Sequence, residues 1–196
     1  MPRLIDRDAR KEELAQALWT VIVQRGVGAV SVRSVAAQAG VAVGSLRHVF
    51  PTRAELIVFS AELMLHRAEQ RITAIPALAD PVDHALRIAR ELLPLTPDTR
   101  AELQVNLALF AEAPAVPALT AVRDRTQGAL TALYMRLVTL VAPDLPPEAA
   151  QPAADRLGAL TDGLAMRLLA SPDFPPADAL SLLREELTRT ANAKAT

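Results

Sequence analysis

Apolar residues recur along most of the chain at spacings of three and four, the period that gives an α-helix one apolar face. Leu14, Leu18 and Val21 begin the first such pattern. No segment shows the strict alternation that is typical of a β-strand. The pattern therefore predicts an all-α fold of about nine helices, at residues 8–25, 32–39, 43–49, 53–75, 82–93, 98–112, 118–141, 148–170 and 177–192.

Local signals mark the ends of these helices. Gly26 and Gly40 follow predicted helices, where glycine readily adopts the left-handed conformation that ends a helix. Ser31 and Thr52 precede predicted helices, and their hydroxyl groups suit the N-cap position. The 15 prolines fall mainly between the predicted helices, where they stop a helix without breaking it.

The composition fits a globular protein whose core is aliphatic. Of the 196 residues, 51% are hydrophobic and only 3% are aromatic, so Leu, Val, Ala and Ile must fill the core. The absence of cysteine excludes disulfides, zinc–thiolate sites and thiol nucleophiles. Residues 1–13 are mostly charged, and no stretch approaches the roughly 18 apolar residues of a membrane span. We therefore expect a cytoplasmic protein without membrane contact.

Charge is distributed unevenly along the chain. The net charge is −1, but residues 1–56 carry a net +3 and the remainder carries −4. Such a distribution suits a protein in which only the basic N-terminal segment meets phosphate groups.

The most informative stretch is residues 31–56, SVRSVAAQAGVAVGSLRHVFPTRAEL. It reads as two short helices joined by a tight turn, the arrangement that places a second helix in the DNA major groove. Ala36 is small enough for the helices to cross closely, and Gly40 supplies the turn. A small apolar core is predicted from Val35, Val41, Leu46 and Val49.

This stretch resembles the DNA-binding head of the TetR family of transcriptional regulators. The matching residues are Gly26, Gly40, Val41, Gly44, Leu46, Phe50, Arg53 and Leu56. Two positions depart from the family pattern: Arg47 replaces a tyrosine, and Ala42, which cannot cap a helix, replaces a serine or threonine. Arg47 can compensate by reaching a phosphate or a guanine edge. The string SLRHVF and Asp162-Gly163-Leu164 are similar to the choline-repressor-like subset of the family.

The resemblance implies a three-helix DNA-binding domain at residues 1–53 and a helical-bundle domain for ligand binding and dimerisation at residues 54–196. It also implies which residues contact double-stranded operator DNA. Ser31 and Arg33 would contact the backbone. The groove and its bases or phosphates would be met by Ala42, Val43, Gly44, Ser45, Arg47, His48 and Arg53.

In this family the last two long helices form the interface of a homodimer. Two lines of residues fit that role here: the small residues Ala150, Ala154 and Gly158, and the leucines Leu180, Leu183 and Leu187. The alternative is that these helices are buried on both sides within one chain.

The resemblance also implies a small-molecule effector. Candidate contacts are polar or aromatic residues inside apolar helices, with one leucine as a wall: Leu103, Asn106, Phe110, Tyr134 and Met166. The same residues also fit ordinary core or surface positions. Because aromatic residues are few and no cationic cluster lies in this region, we expect an apolar effector, and we expect neither a cofactor nor a metal.

The motif and the resemblance together imply a DNA-binding transcriptional regulator, and the resemblance implies a ligand-responsive repressor that binds a palindromic operator as a dimer. We expect no enzymatic activity and no catalytic residue, because the sequence lacks the usual motifs of hydrolases, metalloproteases and nucleotide-binding enzymes. The alternative is a helical interaction scaffold whose DNA-binding head is degenerate. The retained Arg47, His48 and Arg53 speak against it, since a head that has lost DNA binding should also lose its basic side chains.

Overall fold

The computed structural model describes residues 7–114 and 116–193, and these residues form nine α-helices and no strand. The all-α class and the nine predicted helices are therefore confirmed. A short 3-10 helix, Val27–Ala29, was not predicted. The α-helices are α1 (Arg7–Arg25), α2 (Val32–Gln38), α3 (Val43–Val49), α4 (Arg53–Thr73), α5 (Pro81–Arg90), α6 (Pro97–Glu112), α7 (Pro117–Val141), α8 (Pro147–Ala170) and α9 (Pro176–Ala191).

The predicted helix caps are present. Ser31 and Ser34 form a reciprocal capping box at the start of α2, in which the Ser34 amide donates to the Ser31 hydroxyl at 3.0 Å. The Glu55 amide donates to the Thr52 hydroxyl at 3.1 Å and so caps α4. Gly26 and Gly40 have positive φ values of 79° and 66°, which glycine adopts without the steric cost that a side chain would bring.

Proline begins helices in this chain as well as ending them. The first residue of five helices is a proline, at Pro81, Pro97, Pro117, Pro147 and Pro176. The first turn of a helix needs no amide donor, and the fixed φ of proline already matches the helix. Each of these five helices consequently starts one residue earlier than the sequence pattern predicted.

The chain divides into two compact units. The first unit comprises the chain up to Arg67 together with Ala101–Asp124, and the second comprises Ala68–Arg100 together with the chain from Arg125 onward. The first unit thus includes more than the predicted head at residues 1–53. The functional boundary between residues 53 and 54 stays a prediction.

The first unit is built around α1. This helix packs against α2 and the 3-10 helix, and α2 packs against α3. Side chains of α4 and α1 also meet: the Arg67 guanidinium lies 5.2 Å from the ring centre of Trp19 and 2.9 Å from the Glu12 carboxylate. The core of this unit is aliphatic, and its largest fully buried side chains are Leu14, Leu18, Val21, Val35, Leu46, Leu56 and Ile57.

In the second unit α9 packs against both α5 and α8. An ion pair of 2.6 Å joins Asp83 on α5 to Arg184 on α9. Arg100 donates to the carbonyl of Leu168 at 2.8 Å and so satisfies the end of α8. Leucines dominate the core of this unit, at Leu133, Leu137, Leu157, Leu164, Leu168, Leu183 and Leu187.

Helices α7 and α8 approach closely at Gly158. A Cβ atom at this position would lie 3.0 Å from two ring carbons of Tyr134. Burial, together with the charge of Asp162, raises the pKa of the Tyr134 hydroxyl above its ordinary value, so this group stays protonated. Tyr134 therefore packs between α7 and α8 as an uncharged ring, and the missing side chain of Gly158 makes room for it.

None of the helices in the described part of the chain combines the length and apolar character needed to cross a membrane.

The Tyr134–Gly158 contact predicts that Gly158→Ala destabilises the protein by about 1–3 kcal/mol, because the buried ring must shift. Gly128→Ala on α7 is the matched control, since a Cβ there meets open space. The control should stabilise the protein by about 0.5–1 kcal/mol, through the better helix propensity of alanine. Chemical denaturation measures both free energies of unfolding. Equal stability of the two variants would contradict the account.

Candidate nucleic-acid interface

One side of α3 is buried and the other is open. The side chain of Leu46 is fully buried in the core of the first unit, and Phe50, which follows the helix, is almost fully buried. These anchors fix the rotation of α3 about its axis. The open side exposes six of the predicted DNA-contacting residues, Ala42, Val43, Gly44, Ser45, Arg47 and His48, which we call the α3 face.

The α3 face is smooth at its beginning and charged at its end. A Cβ atom at Gly44 would meet nothing within 4 Å, so another molecule can approach the helix backbone there. Ala42 occupies the N-cap position without a side-chain hydrogen bond, as its methyl group requires. The two basic side chains, Arg47 and His48, lie in the last turn of the helix. Shape and charge therefore both allow the face to enter a groove lined with phosphates.

Two further predicted residues, Ser31 and Arg33, lie at the start of α2. The side chain of Ser31 is hydrogen-bonded within the chain, whereas that of Arg33 has no hydrogen-bond partner among the described residues. The Ser31 hydroxyl accepts from the Ser34 amide and donates to the Ser34 hydroxyl at 3.0 Å, so its main role within the chain is the capping box. Arg33 is exposed in the first turn of the same helix. Ser31 thus positions α2, while the charge of Arg33 is presented to solvent.

Free positive charge in the first unit is concentrated near these helices. Within the described residues, Arg33 and Arg47 have no ion-pair partner, and neither does Arg25 at the end of α1. Arg10, Lys11 and Arg67 do, with Glu13, Asp8 and Glu12 respectively. The motif did not single out Arg25. An arginine at the end of α1 without an acidic residue three or four positions away was the available signal.

Arg53 is held within the chain. Its Nε donates to the carbonyl of Val30 at 3.0 Å, and its Nη2 lies 3.1 Å from the carboxylate of Glu112. The structure therefore does not group its guanidinium with the open α3 face, and its predicted contact with DNA stays a prediction.

Comparison with known families matches both parts of the chain. Residues 11–58 match the description "Bacterial regulatory proteins, tetR family", and residues 81–192 match "BetI-type transcriptional repressor, C-terminal". The chain belongs to the TetR family. It is a DNA-binding transcriptional regulator, as the sequence predicted, and the second match agrees with the predicted choline-repressor-like subset.

Individual relatives of this TetR-family regulator support the assignment over nearly the whole chain. The HTH-type transcriptional regulator PksA of Bacillus subtilis (strain 168) is 33% identical, over 88% of this chain and 84% of that one. The crystal structure of a transcriptional regulator from Rhodococcus sp. Rha1 has a TM-score of 0.80 and 27% identity, and covers 92% of this chain and 95% of that one. The multidrug binding protein EbrR complexed with ethidium has a TM-score of 0.66 and 28% identity, with 92% and 98% covered.

The five predicted ligand contacts of the regulator are not gathered in one unit. Leu103, Asn106 and Phe110 belong to the first unit, whereas Tyr134 and Met166 belong to the second. Phe110 and Met166 each expose 46% of their surface, and Arg123 lies 6.0 Å from the centre of the Phe110 ring. Only Tyr134 is buried, against Gly158. Their role in ligand binding stays a prediction.

The residues predicted to meet a second subunit differ in burial, and their role in dimerisation stays a prediction. Ala154, Gly158, Leu183 and Leu187 are buried within a single chain. Ala150 and Leu180 are half-buried. The small-residue line on α8 and the leucine line on α9 both turn mainly inward, because α9 packs against α5 and α8 and the Tyr134 ring of α7 covers Gly158.

A different set of apolar residues remains exposed on these helices. On α8 it consists of Ala159, Gly163 and Met166, which are spaced by four and three residues and share one side of the helix. On α9 the exposed large apolar residue is Leu182. We call these four residues the outer face. Asp162 lies beside them, and partial burial of its carboxyl group raises its pKa.

Within the described residues, no group of three or more histidine or acidic side chains is arranged to hold a metal ion.

Proposed function

We propose that this regulator is a ligand-responsive repressor that binds a palindromic operator as a homodimer in the bacterial cytoplasm and has no enzymatic activity. One observation carries the proposal: α3 buries one side in the core and offers its other side, with unpaired basic groups, to solvent. A scaffold with a degenerate head would have no need to keep Arg33 and Arg47 unpaired.

For DNA recognition, α3 is the helix suited to the major groove. Its smooth beginning at Gly44 allows the backbone to approach the bases. Arg47 can donate two parallel hydrogen bonds to a guanine, or a single one to a phosphate. Arg33 lies on a different helix and would contact the phosphate backbone, fixing the orientation of the head without reading sequence.

For dimerisation, a second copy of the chain is the partner that suits the outer face. Ala159 and Gly163 are small residues, so two α8 helices can approach closely. Met166 and Leu182 add exposed apolar surface that a second copy of the chain would remove from water. A two-fold dimer presents two heads in opposite directions, which matches the symmetry of a palindrome. The match to BetI-type C-terminal domains supports this assignment.

For regulation, we propose a small apolar effector bound by the aliphatic C-terminal bundle. The relative EbrR is seen with ethidium, a lipophilic aromatic cation, which supports a ligand with a large ring surface but not the absence of charge. An effector changes the affinity of the protein for its operator only if it binds the DNA-binding state and the released state with different affinity. The proposed effector therefore favours the state whose heads no longer match the operator, and operator affinity falls.

DNA recognition predicts that Arg47→Ala lowers affinity by about 1–3 kcal/mol if the side chain pairs with a guanine. If it meets a phosphate, the salt slope should fall by about one unit. The control is Arg136→Ala, which removes the same charge from an exposed position on α7. Fluorescence anisotropy at several salt concentrations, with a duplex that the wild type selects from a random library, measures both. Identical binding by the two variants would show that Arg47 makes no contact with DNA, whereas a wild type that selects no duplex at all would support the scaffold alternative.

Dimerisation through the outer face predicts that Met166→Asp produces monomers, because a charged group would have to be desolvated at the interface. Leu78→Asp introduces the same charge at another exposed apolar position and should leave the dimer intact. Sedimentation velocity distinguishes the two masses. A dimeric Met166→Asp variant, or a wild type that is monomeric at micromolar concentration, would rule out this interface.

The effector proposal predicts that compounds from a lipophilic, ring-containing library raise the melting temperature by about 5–10 °C when present at a hundred times Kd. The same compounds should weaken operator binding. A library of highly charged metabolites serves as the comparison. Stabilisation by charged metabolites alone would exclude an apolar effector, and a lipophilic ligand that binds tightly without changing operator affinity would not be the regulatory one.

A further inference from the structure

Two charges in the first unit stand at unfavourable helix ends. Arg53 is the first residue of α4, where the helix dipole already places partial positive charge. Glu112 is the last residue of α6, where the dipole places partial negative charge. Each residue therefore works against the stability of its own helix. Sequences break such local rules mainly at functional sites, so this pair needs a reason beyond helix formation.

The two charges compensate one another through a contact between distant parts of the chain. Arg53 Nη2 lies 3.1 Å from a Glu112 carboxylate oxygen, and the two side chains expose 35% and 27% of their surface. Arg53 Nε also donates to the carbonyl of Val30 at 3.0 Å. Val30 immediately precedes Ser31, the cap of α2. The guanidinium is thus bound both at the start of the helix-turn-helix and at the end of α6.

The Arg53 guanidinium has hydrogen-bond donors that these two contacts leave unused. It has five N–H donors, of which two are used here, and it is partly open to solvent. A phosphate could take the remaining donors, but the carboxylate already neutralises the charge that would attract it. Two anions on one guanidinium also repel each other, so a phosphate that binds Arg53 weakens its contact with Glu112.

We propose that Glu112 competes with a DNA phosphate for the Arg53 guanidinium, so that Arg53 joins the DNA contacts when the ion pair opens. This inference rests on the proposed DNA-binding mode. Glu112 then belongs to the DNA-binding site as a tuning residue, although it lies on α6. Any event that draws the end of α6 away from Arg53 adds a phosphate contact, and any event that presses it closer removes one.

The test compares wild type with Glu112→Gln, Arg53→Gln and the double variant by anisotropy against a selected duplex, over a range of salt concentrations. We expect Glu112→Gln to bind about two- to fivefold more tightly, the factor that corresponds to a typical exposed ion pair. Its salt slope should steepen by up to about one unit, because one more phosphate is neutralised. Arg53→Gln should bind more weakly, and the double variant should match it.

Two further variants separate competition from a general effect of charge. Asp124→Asn removes one negative charge from the same unit, where Asp124 pairs with Arg123, and should change affinity much less than Glu112→Gln. Glu112→Asp keeps the charge but draws the carboxylate back from Arg53, so it should change affinity in the same direction as Glu112→Gln.

Weaker binding by Glu112→Gln with an unchanged slope would overturn the inference and make the pair a structural brace. A gain that equals that of Asp124→Asn, or that persists without Arg53, would overturn it as well. A wild type that selects no duplex at all would instead remove the proposed function, and this inference with it.

Discussion

The burial of the Leu46 side chain, on the inner side of α3, is the interaction on which the rest of the site depends. Isolated helices of fewer than about 12 residues are marginal in water, and α3 has only seven. Its position therefore comes from packing, with Leu46 and Phe50 inserted in the core of the first unit. Because the inner side is fixed, the outer side is fixed too, and the α3 face is directed at solvent as a consequence of core packing.

The sequence predicted those features that depend on neighbouring residues. The capping box at Ser31, the cap at Thr52 and the left-handed glycines follow from chemistry within three or four positions of the chain. The helices of the motif follow from the same local rules. The starts of five helices were displaced by one residue, because proline was treated only as a helix breaker and not as a favourable first residue.

Features that depend on distant residues were harder to predict. Arg53 and Glu112 are 59 positions apart, so nothing near Arg53 indicated that its guanidinium is bound within the chain. On α8 the apolar pattern continues around most of the helix, and a pattern this broad does not tell which side faces a partner. The inward placement of Gly158 depends on the Tyr134 ring of α7, and the outer face at Gly163 became evident only from burial.

We propose that a helix face held by core packing reads DNA as one half of a symmetric pair. Selection from a random duplex library with the wild-type protein, followed by sequencing, tests it most directly. We expect enrichment of a palindrome whose half-sites lie about one helical turn of 10–10.5 base pairs apart, or a multiple of that distance. A folded protein that enriches no sequence, or only an unpaired half-site, would contradict it.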